Sequence, residues 1–596
     1  MFDRFSCRVS ELRRVLAGGI LLSLGMAWTS VASGQVAQVD GSADSAADQR
    51  ATATMTPLSI VEDGRAADER DRANPLQEMY SYAALRRDNV GRPELVGGLI
   101  DVTADDGGSG TRDLLSGWNG SASATIAPPD SIMAAGPSHV VVATNARLKF
   151  YTKTGSVTEN HSWGGFFGGV LPSGTFTSDP KVIYDAAGER WFILILGIRN
   201  SDFHTWYMLA VSDDSNPNGT WMKYAIDSTL NGMNPSGNWS DFPGMGVGPD
   251  ALYLTANMFS RSTFQFRHVK LRILPMQQLI DFAATLTWTD IFGITDPDGQ
   301  IAFTIQPAQH IGTSSVAFLV DANPSRKITI FGVNDPLGTA TLVKRSRRVN
   351  NFAIAPNAEQ PGGSPTLSAG DTRASNALWR DGSLYFAQTR AAGSQAAVRW
   401  YQIDTSGWPA TADVVQQGNI VDASASNFFP SVAVNRNGTL VIGFSRSSTT
   451  EFASTYYASR QASDPLGTMS APVVIKAGTV HYTGSGGSSV RWGDYSGTVV
   501  DPVDDLTFWN FNEYPNPANG GAGWRAWVQH FTVDSVSCPE DLTGDGIVDL
   551  SDLAIILANF GTANGALPEQ GDLDGDGDVD LADLAGLLAL FGMPCP

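Results

Sequence analysis

Twice near its C-terminus the chain sets oxygen-bearing side chains at the spacing of a cation cage. The first loop offers Asp541, Thr543, Asp545, Asp549 and Asp552 at positions 1, 3, 5, 9 and 12, with Gly546 at position 6 and Ile547 at position 7. The second starts 31 residues later with Asp572, Asp574, Asp576, Asp580 and Asp583, with Gly577 and Asp578 at positions 6 and 7. Ca²⁺ takes about six to eight oxygens in a flexible shell; glycine at position 6 permits the sharp turn, and position 7 contributes its carbonyl. The spacing predicts two Ca²⁺ sites. Thr543 is a weaker ligand than Asp and leaves the first site with four carboxylates against five, so the second is expected to be tighter.

The segments after the loops must hold them. Leu550, Leu553, Leu557 and Phe560 recur at helical spacing, and Leu581, Leu584, Leu588 and Phe591 repeat the pattern. Gly561 and Gly592 are stop signals. Helices of this length do not hold alone in water, so the two apolar stripes are expected to pack face to face. Loop then single helix, twice, with Asp at position 12, resembles the type I dockerin domains over residues 538–596. The resemblance implies a small all-α, pseudo-two-fold fold, Ca²⁺ dependence, and a cohesin-like or cell-surface protein as partner. In that family loop positions 10 and 11 help choose the partner. Here they are Leu550-Ser551 and Leu581-Ala582, and leucine departs from the polar pairs common in cellulosome dockerins. Cys538 and Cys595 bracket the module, and a disulfide between them is the economical reading for an oxidising compartment.

Residues 1–34 read as a secretory signal. Arg4, Arg8, Arg13 and Arg14 precede an apolar run from Val15 to Val31, followed by small residues near 32–34. The flanks of Arg13-Arg14 favour the general secretory route over the twin-arginine one. A secreted, extracellular or cell-surface location is expected, and no later run has the length of a membrane span. Residues 35–117 are rich in Ala, Asp, Ser, Thr and Arg and read as a disordered leader, with one short helix near Leu76–Arg87. Residues 538–596 hold twelve acidic and no basic residues, more than half of the net charge of −21. The remainder is mildly acidic, which disfavours nucleic acid as a partner.

Residues 118–534 are mainly β by pattern. Short β-branched and aromatic runs such as Trp191–Leu196 and Leu440–Phe444 alternate with turn residues. A polar or Pro-led start, a strand, a Gly turn and a second strand recur, as in Asp179–Leu194, Asp241–Leu254 and Phe429–Phe444. Weaker copies begin near Pro128, Gln306, Arg373 and Asp494. A second element repeats behind the first: Asn216-Pro-Asn-Gly219, Asp335-Pro-Leu-Gly338 and Asp464-Pro-Leu-Gly467, tight turns between outer strands. The pattern predicts a β-propeller of seven blades, with six to eight as the range; a two-sheet sandwich array would not explain the single period. Ser212–Trp221 looks like a degenerate Asp-box, and the segment resembles secreted bacterial propellers of the sialidase and Asp-box type.

Repeat starts should converge on one mouth of the central channel, bringing together Asp130, Asp179, Asp241, His310, Arg373, Asn427 and Asp494, with Arg491 nearby. Mixed Asp and Arg around a funnel could bind a sugar or an ion, and a suitably spaced carboxylate pair could hydrolyse a glycoside. The structural alternative is that each Asp caps a turn or bonds a neighbouring blade's backbone. Asp130, Asp179, Asp241, Arg373, Arg491 and Asp494 are therefore the candidate catalytic residues, with no third arginine and no Tyr–Glu pair identified for sialidase chemistry. No zinc motif, nucleophile elbow or phosphate loop occurs. Two functions remain: a secreted calcium-binding propeller that holds a glycan or protein ligand, or an O-glycosyl hydrolase of polysaccharide degradation. An open pocket with facing carboxylates would favour the second; carboxylates all bonded to backbone would favour the first.

Overall fold

The computed structural model describes residues 49–55, 58–63, 114–248, 250–322, 325–484, 486–533, 539–543 and 547–592. The signal, the expected helix near Leu76–Arg87, Asp545, and the Cys538–Cys595 pair lie outside these residues. The described residues fall into two compact units, one over 117–529 with 49–63, the other over 530–592 with 114–116.

The first unit is built from groups of four consecutive antiparallel strands. The leading strands of the groups are β1 (Ile132–Ala135), β2 (Thr175–Asp185), β3 (Asn238–Val247), β4 (Gln306–Ile311), β5 (Ala374–Arg380), β6 (Ser426–Val434) and β7 (Gly497–Val500). Each leading strand packs beside the next, and β7 packs against β1, so the groups form a ring: a β-propeller. The last group takes its outermost strand, Leu114–Ser123, from the chain ahead of the first group. That clasp pairs the two ends of the ring and leaves neither as an open edge. β4 and β5 also pair in parallel over Ala308–Ile311 and Ala377–Arg380.

Sheets sandwiched between sheets explain the apolar runs. Arg190–Arg199 is buried at every position between its ends, because neighbouring sheets cover both of its faces. Clusters of core residues each draw on adjacent sheets, as where Val141, Phe150 and Trp163 meet Ile193, Met208 and Trp221. Trp191, Trp221, Trp239, Trp400, Trp492, Trp509 and Trp524 are among the largest fully buried side chains. The Pro–Gly turns lie where the repeat placed them, between third and fourth strands: 213–219, 335–340 and 461–472. In the first of these the Asp213 carboxylate accepts the Thr220 N–H at 3.0 Å and Asp214 accepts that of Asn216 at 2.7 Å.

Part of the leader is ordered, which corrects the reading of 35–117 as disordered. Gln49–Met55 pairs antiparallel with Leu286–Phe292, and Leu58–Asp63 with Thr220–Ala225, the outermost strands of two neighbouring sheets. Arg50 reaches the Ala340 carbonyl at 2.9 Å. Composition missed this because an edge strand gains its stability from backbone pairing, which asks little apolar burial of the added segment.

In the second unit α1 (Leu550–Asn559) and α2 (Leu581–Leu590) each begin with a reciprocal cap, Asp549 with Asp552 and Asp580 with Asp583. Gly561 N–H donates to the Val579 carbonyl at 2.9 Å and Gly592 N–H to the Val548 carbonyl at 2.7 Å, so each helix end is tied to the other repeat's loop. The expected stripe-on-stripe packing is wrong. Val548, Ile556, Ala566, Val579 and Leu587 form the buried core, with Leu553 and Leu584 at its edge. Leu550 and Leu581 are each 71 % exposed, and Leu557, Phe560, Leu588 and Phe591 also face solvent. The inward face is instead set by the caps: Asp552 and Asp583 point in, and the residues four further on, Ile556 and Leu587, follow them. No helix among the described residues is long and apolar enough to cross a membrane.

Candidate functional site

A strained backbone motif builds the mouth of the ring. Asp179, Phe242 and Phe429 have φ of 62, 50 and 51°, each precedes proline, and each sits in a register shift of its leading strand. Proline removes a ladder donor and so belongs at a bulge, and the bulge turns the preceding side chains toward the axis. Such left-handed residues cost about 1–3 kcal/mol each and persist only where surroundings enforce them. Side chains from preceding sheets do so here. Asn145 accepts the Asp179 N–H at 2.8 Å, Asp179 accepts that of Phe242 at 3.1 Å, and Thr389 accepts that of Phe429 at 3.0 Å.

Six sequence candidates meet at this mouth. Asp130 accepts the Asp494 N–H at 2.9 Å with one oxygen and the Asn145 amide at 2.7 Å with the other. Asp179 also accepts the Ser178 hydroxyl at 2.7 Å. Arg491 pairs with Asp494, and Arg373 pairs through two nitrogens with Asp371, a buried carboxylate the repeat did not point to. Asp241 lines a small cavity of about 20 Å³ together with Asp179, Arg373, Arg491 and Asp494. Room of that size suits a water molecule, not a sugar ring.

Burial, followed by repulsion from Asp494 and Asp179, pushes Asp130 well above the usual carboxylate range. Burial and then Asp179 do the same to Asp241, opposed by Arg373. Asp371 is also penalised by burial, yet the adjoining Arg373 holds it below the ordinary range. Burial holds Lys181 down to about 7 against the pull of Asp179, Asp130 and Asp494. Its ammonium lies 3.1 Å from the centre of the Tyr495 ring. Lys181 and Tyr495 went unnoticed in the sequence; the Asp-Pro-Lys run was the available signal.

Two candidates lie elsewhere. His310 sits near the far end of β4, stacked between Phe318 and Trp379, and the residue that matches the mouth motif in its sheet is Thr304, φ 57°. Asn427 lies two residues before the strained Phe429 and donates to the Ile420 carbonyl.

The second acidic loop gathers its carboxylates. Asp572, Asp574 and Asp576, and likewise Asp578, Asp580 and Asp583, bring ligand oxygens within 4.8 Å of one another. Asp583 is buried and accepts the Leu573 and Asp580 N–H groups at 2.7 Å. One Asp578 oxygen is buried with no hydrogen-bond partner. That orphan oxygen, among acceptor-only groups, fits a hard cation. Among the described residues the mouth carboxylates show no comparable convergence, which weighs against the ion reading there. In the first loop Asp552 accepts the Thr543 and Asp549 N–H groups at 2.9 and 2.8 Å, as Asp583 does in the second.

No family model matches the chain, and no curated protein matches it. Solved structures do. A phage phi92 endosialidase is similar at 8 % identity over 70 % of this chain and 69 % of its own, TM-score 0.35. An alpha-L-arabinofuranosidase from Fusarium graminearum is similar at 10 % over 69 % and 97 %, TM-score 0.33. A Trypanosoma rangeli sialidase is similar at 10 % over 69 % and 59 %, TM-score 0.32. Likeness this distant carries no functional information about the chain; the propeller stands on its own strand order.

Proposed function

We propose that the chain is an exported calcium-binding protein in which a seven-bladed propeller presents a glycan- or protein-binding surface and the C-terminal module attaches it to a partner. The observation that carries this is the second loop, where the carboxylates of Asp572, Asp574 and Asp576 converge, as do those of Asp578, Asp580 and Asp583. Asp572, Asp574, Asp576, Asp580 and Asp583, with the Asp578 carbonyl, would hold one Ca²⁺. Asp541, Thr543, Asp545, Asp549, Asp552 and the Ile547 carbonyl would hold the other. The metal supplies neutralising charge; the chain's carboxylates otherwise repel one another across the loop. The exposed Leu550, Leu557, Phe560 and their repeats Leu581, Leu588, Phe591 supply an apolar docking face. The module has no basic residue, so a partner with a basic rim, cohesin-like or on the cell surface, suits it.

The hydrolase reading has less support. Asp130 and Asp179 each spend one oxygen on a backbone N–H and the other on a side chain, Asp371 and Asp494 pair with arginines, and the cavity beside Asp241 holds no sugar. The test is calorimetric titration of the mature chain with Ca²⁺, and a glycan array with polysaccharide hydrolysis assays run in Ca²⁺ and in chelator. Two binding events, with the tighter removed by Asp572→Ala, are expected. Absence of binding heat would refute the calcium reading, and turnover lost in Asp241→Asn would favour the hydrolase.

A further inference from the structure

The leading strands of all the sheets bound a central channel of about 380 Å³. Its walls are largely apolar, with Ile132, Met133, Val182, Met245, Leu378 and Val499 among them. Lys181 is the only lysine or arginine that lines it, and it is only 8 % exposed. Lysine has three donors and no acceptor. Among the described residues none of the three finds a hydrogen-bond acceptor or a carboxylate at ion-pair distance; the ammonium rests on Tyr495, with Phe242 at 5.4 Å.

The nearby acids are already engaged. Asp130 and Asp179 accept from Asp494, Asn145, Ser178 and Phe242, and Asp494 from Arg491. Lys270 is the instructive contrast. It is fully buried and its basicity is likewise lowered to about 7, but its ammonium is held by the Ser228 and Leu230 carbonyls, and it lines no part of the channel.

The surroundings select the chemistry. Asp130, Asp179, Asp241 and Asp494 face this region against Arg373 and Arg491. Both arginines are already paired, Arg373 with Asp371 and Arg491 with Asp494, so a carboxylate or phosphate ligand would find no uncommitted guanidinium, whereas an uncharged carbonyl compound needs none. The geometry points to Lys181 as a covalent binding site, at the channel end nearest the carboxylate cluster, for a small neutral aldehyde or ketone, the open-chain form of a short sugar included. The amine nitrogen attacks the carbonyl carbon and forms the C–N bond. The carbonyl oxygen then departs as water with the two amine hydrogens, leaving an imine; no oxidant, reductant or further reactant is consumed. Neutral amine is available near neutral pH because burial disfavours the charged form.

The experiment treats the mature chain with glycolaldehyde and cyanoborohydride at pH 7 and maps adducts by peptide mass spectrometry. Lys181 is expected to label at least about tenfold faster than Lys270, since only Lys181 opens on the channel. Its labelling should rise about tenfold from pH 6 to 8 and then level off, whereas an ordinary lysine keeps rising toward pH 10. Lys181→Arg keeps a cation over Tyr495 but forms no imine, so it should melt normally and lose the adduct. Equal labelling of Lys181 and Lys270, or labelling of Lys181 only after unfolding, overturns the proposal. The two lysines are compared within one wild-type protein, so the result stands even if the variant fails to fold.

Discussion

Replacing Asp179 by alanine separates a clamp from a catalyst. The carboxylate accepts the Phe242 N–H of the next sheet and the Ser178 hydroxyl. Its loss leaves a buried N–H unsatisfied, at about 1–3 kcal/mol, and a buried hydroxyl unpartnered, at about 1 kcal/mol. Alanine also tolerates the left-handed conformation at φ 62° less well than aspartate, about another 1 kcal/mol. Relief of repulsion from Asp494 offsets part of this, leaving about 3 kcal/mol. Unfolding entropy of about 2.1 cal/mol/K per residue over roughly 400 residues converts that to a fall of about 3–4 °C in Tm. Asp241→Asn is the control. Asp241 clamps no neighbouring sheet among the described residues, so its Tm should move by about 1 °C or less. Scanning calorimetry of both variants, with denaturant unfolding as a second measure, decides it. An Asp179→Ala protein that melts like wild type yet loses a ligand or an activity would refute the structural assignment.

Other perturbations probe other parts of the molecule. Burial pushes Glu513 up to about 8 from its ordinary 4.5. A raised carboxyl contributes stability that is full below about pH 4.5 and lost as pH rises through 8, so stability should fall by on the order of a few kcal/mol across that window. Glu513→Gln should flatten the decline and leave the variant the more stable at pH 8, as read by denaturant midpoints. Gly521 sits at φ 83° with the His481 carbonyl oxygen 1.8 Å from where a Cβ would be. Gly521→Ala should therefore cost roughly 3 kcal/mol or more, measured by thermal unfolding, because backbone rather than a flexible side chain must move. Leu550→Lys with Leu581→Lys should change stability by less than about 0.5 kcal/mol, both positions being exposed, while abolishing pull-down of the cohesin-like or cell-surface partner proposed for the module.

What the sequence revealed follows from which interactions are local. Asp335-Pro-Leu-Gly338 and its relatives were legible because a turn's geometry is written in four residues. The convergence of carboxylates in Asp572–Asp583 was legible because their spacing is written within twelve residues. The mouth was only partly so. Asp130, Asp179, Asp241, Arg373, Arg491 and Asp494 were found by repeat position, but His310 and Asn427 were misaligned by six and two residues from Thr304 and Phe429. A bulge shifts the facing of a strand by one residue, and no local pattern marks where it falls. Asp371 was missed because its importance comes from Arg373 two residues on and from burial, neither of which composition encodes. The helical stripe failed for a different reason. In Leu553-Ala-Ile-Ile-Leu557 every position is apolar, so periodicity cannot decide between Ile556 and Leu557.

The same geometry explains why a ring of conspicuous acids makes a poor argument for catalysis. Closing the propeller forces left-handed residues next to prolines at its mouth, and their N–H groups have no strand partner. Buried N–H groups demand acceptors. Carboxylates supply strong ones, so Asp130 and Asp179 serve backbone first, and burial then lifts both toward the neutral form. Asp371 and Asp494 stand against Arg373 and Arg491 at the same mouth. Two groups apart from these clamps keep hydrogen-bonding capacity: the Lys181 amine, which rests on the Tyr495 ring at the channel, and one Asp578 oxygen in the second loop. Unspent hydrogen-bonding capacity in a buried place is the better guide to function than the density of charge around it, because a group already satisfied must lose a bond before it can bind anything.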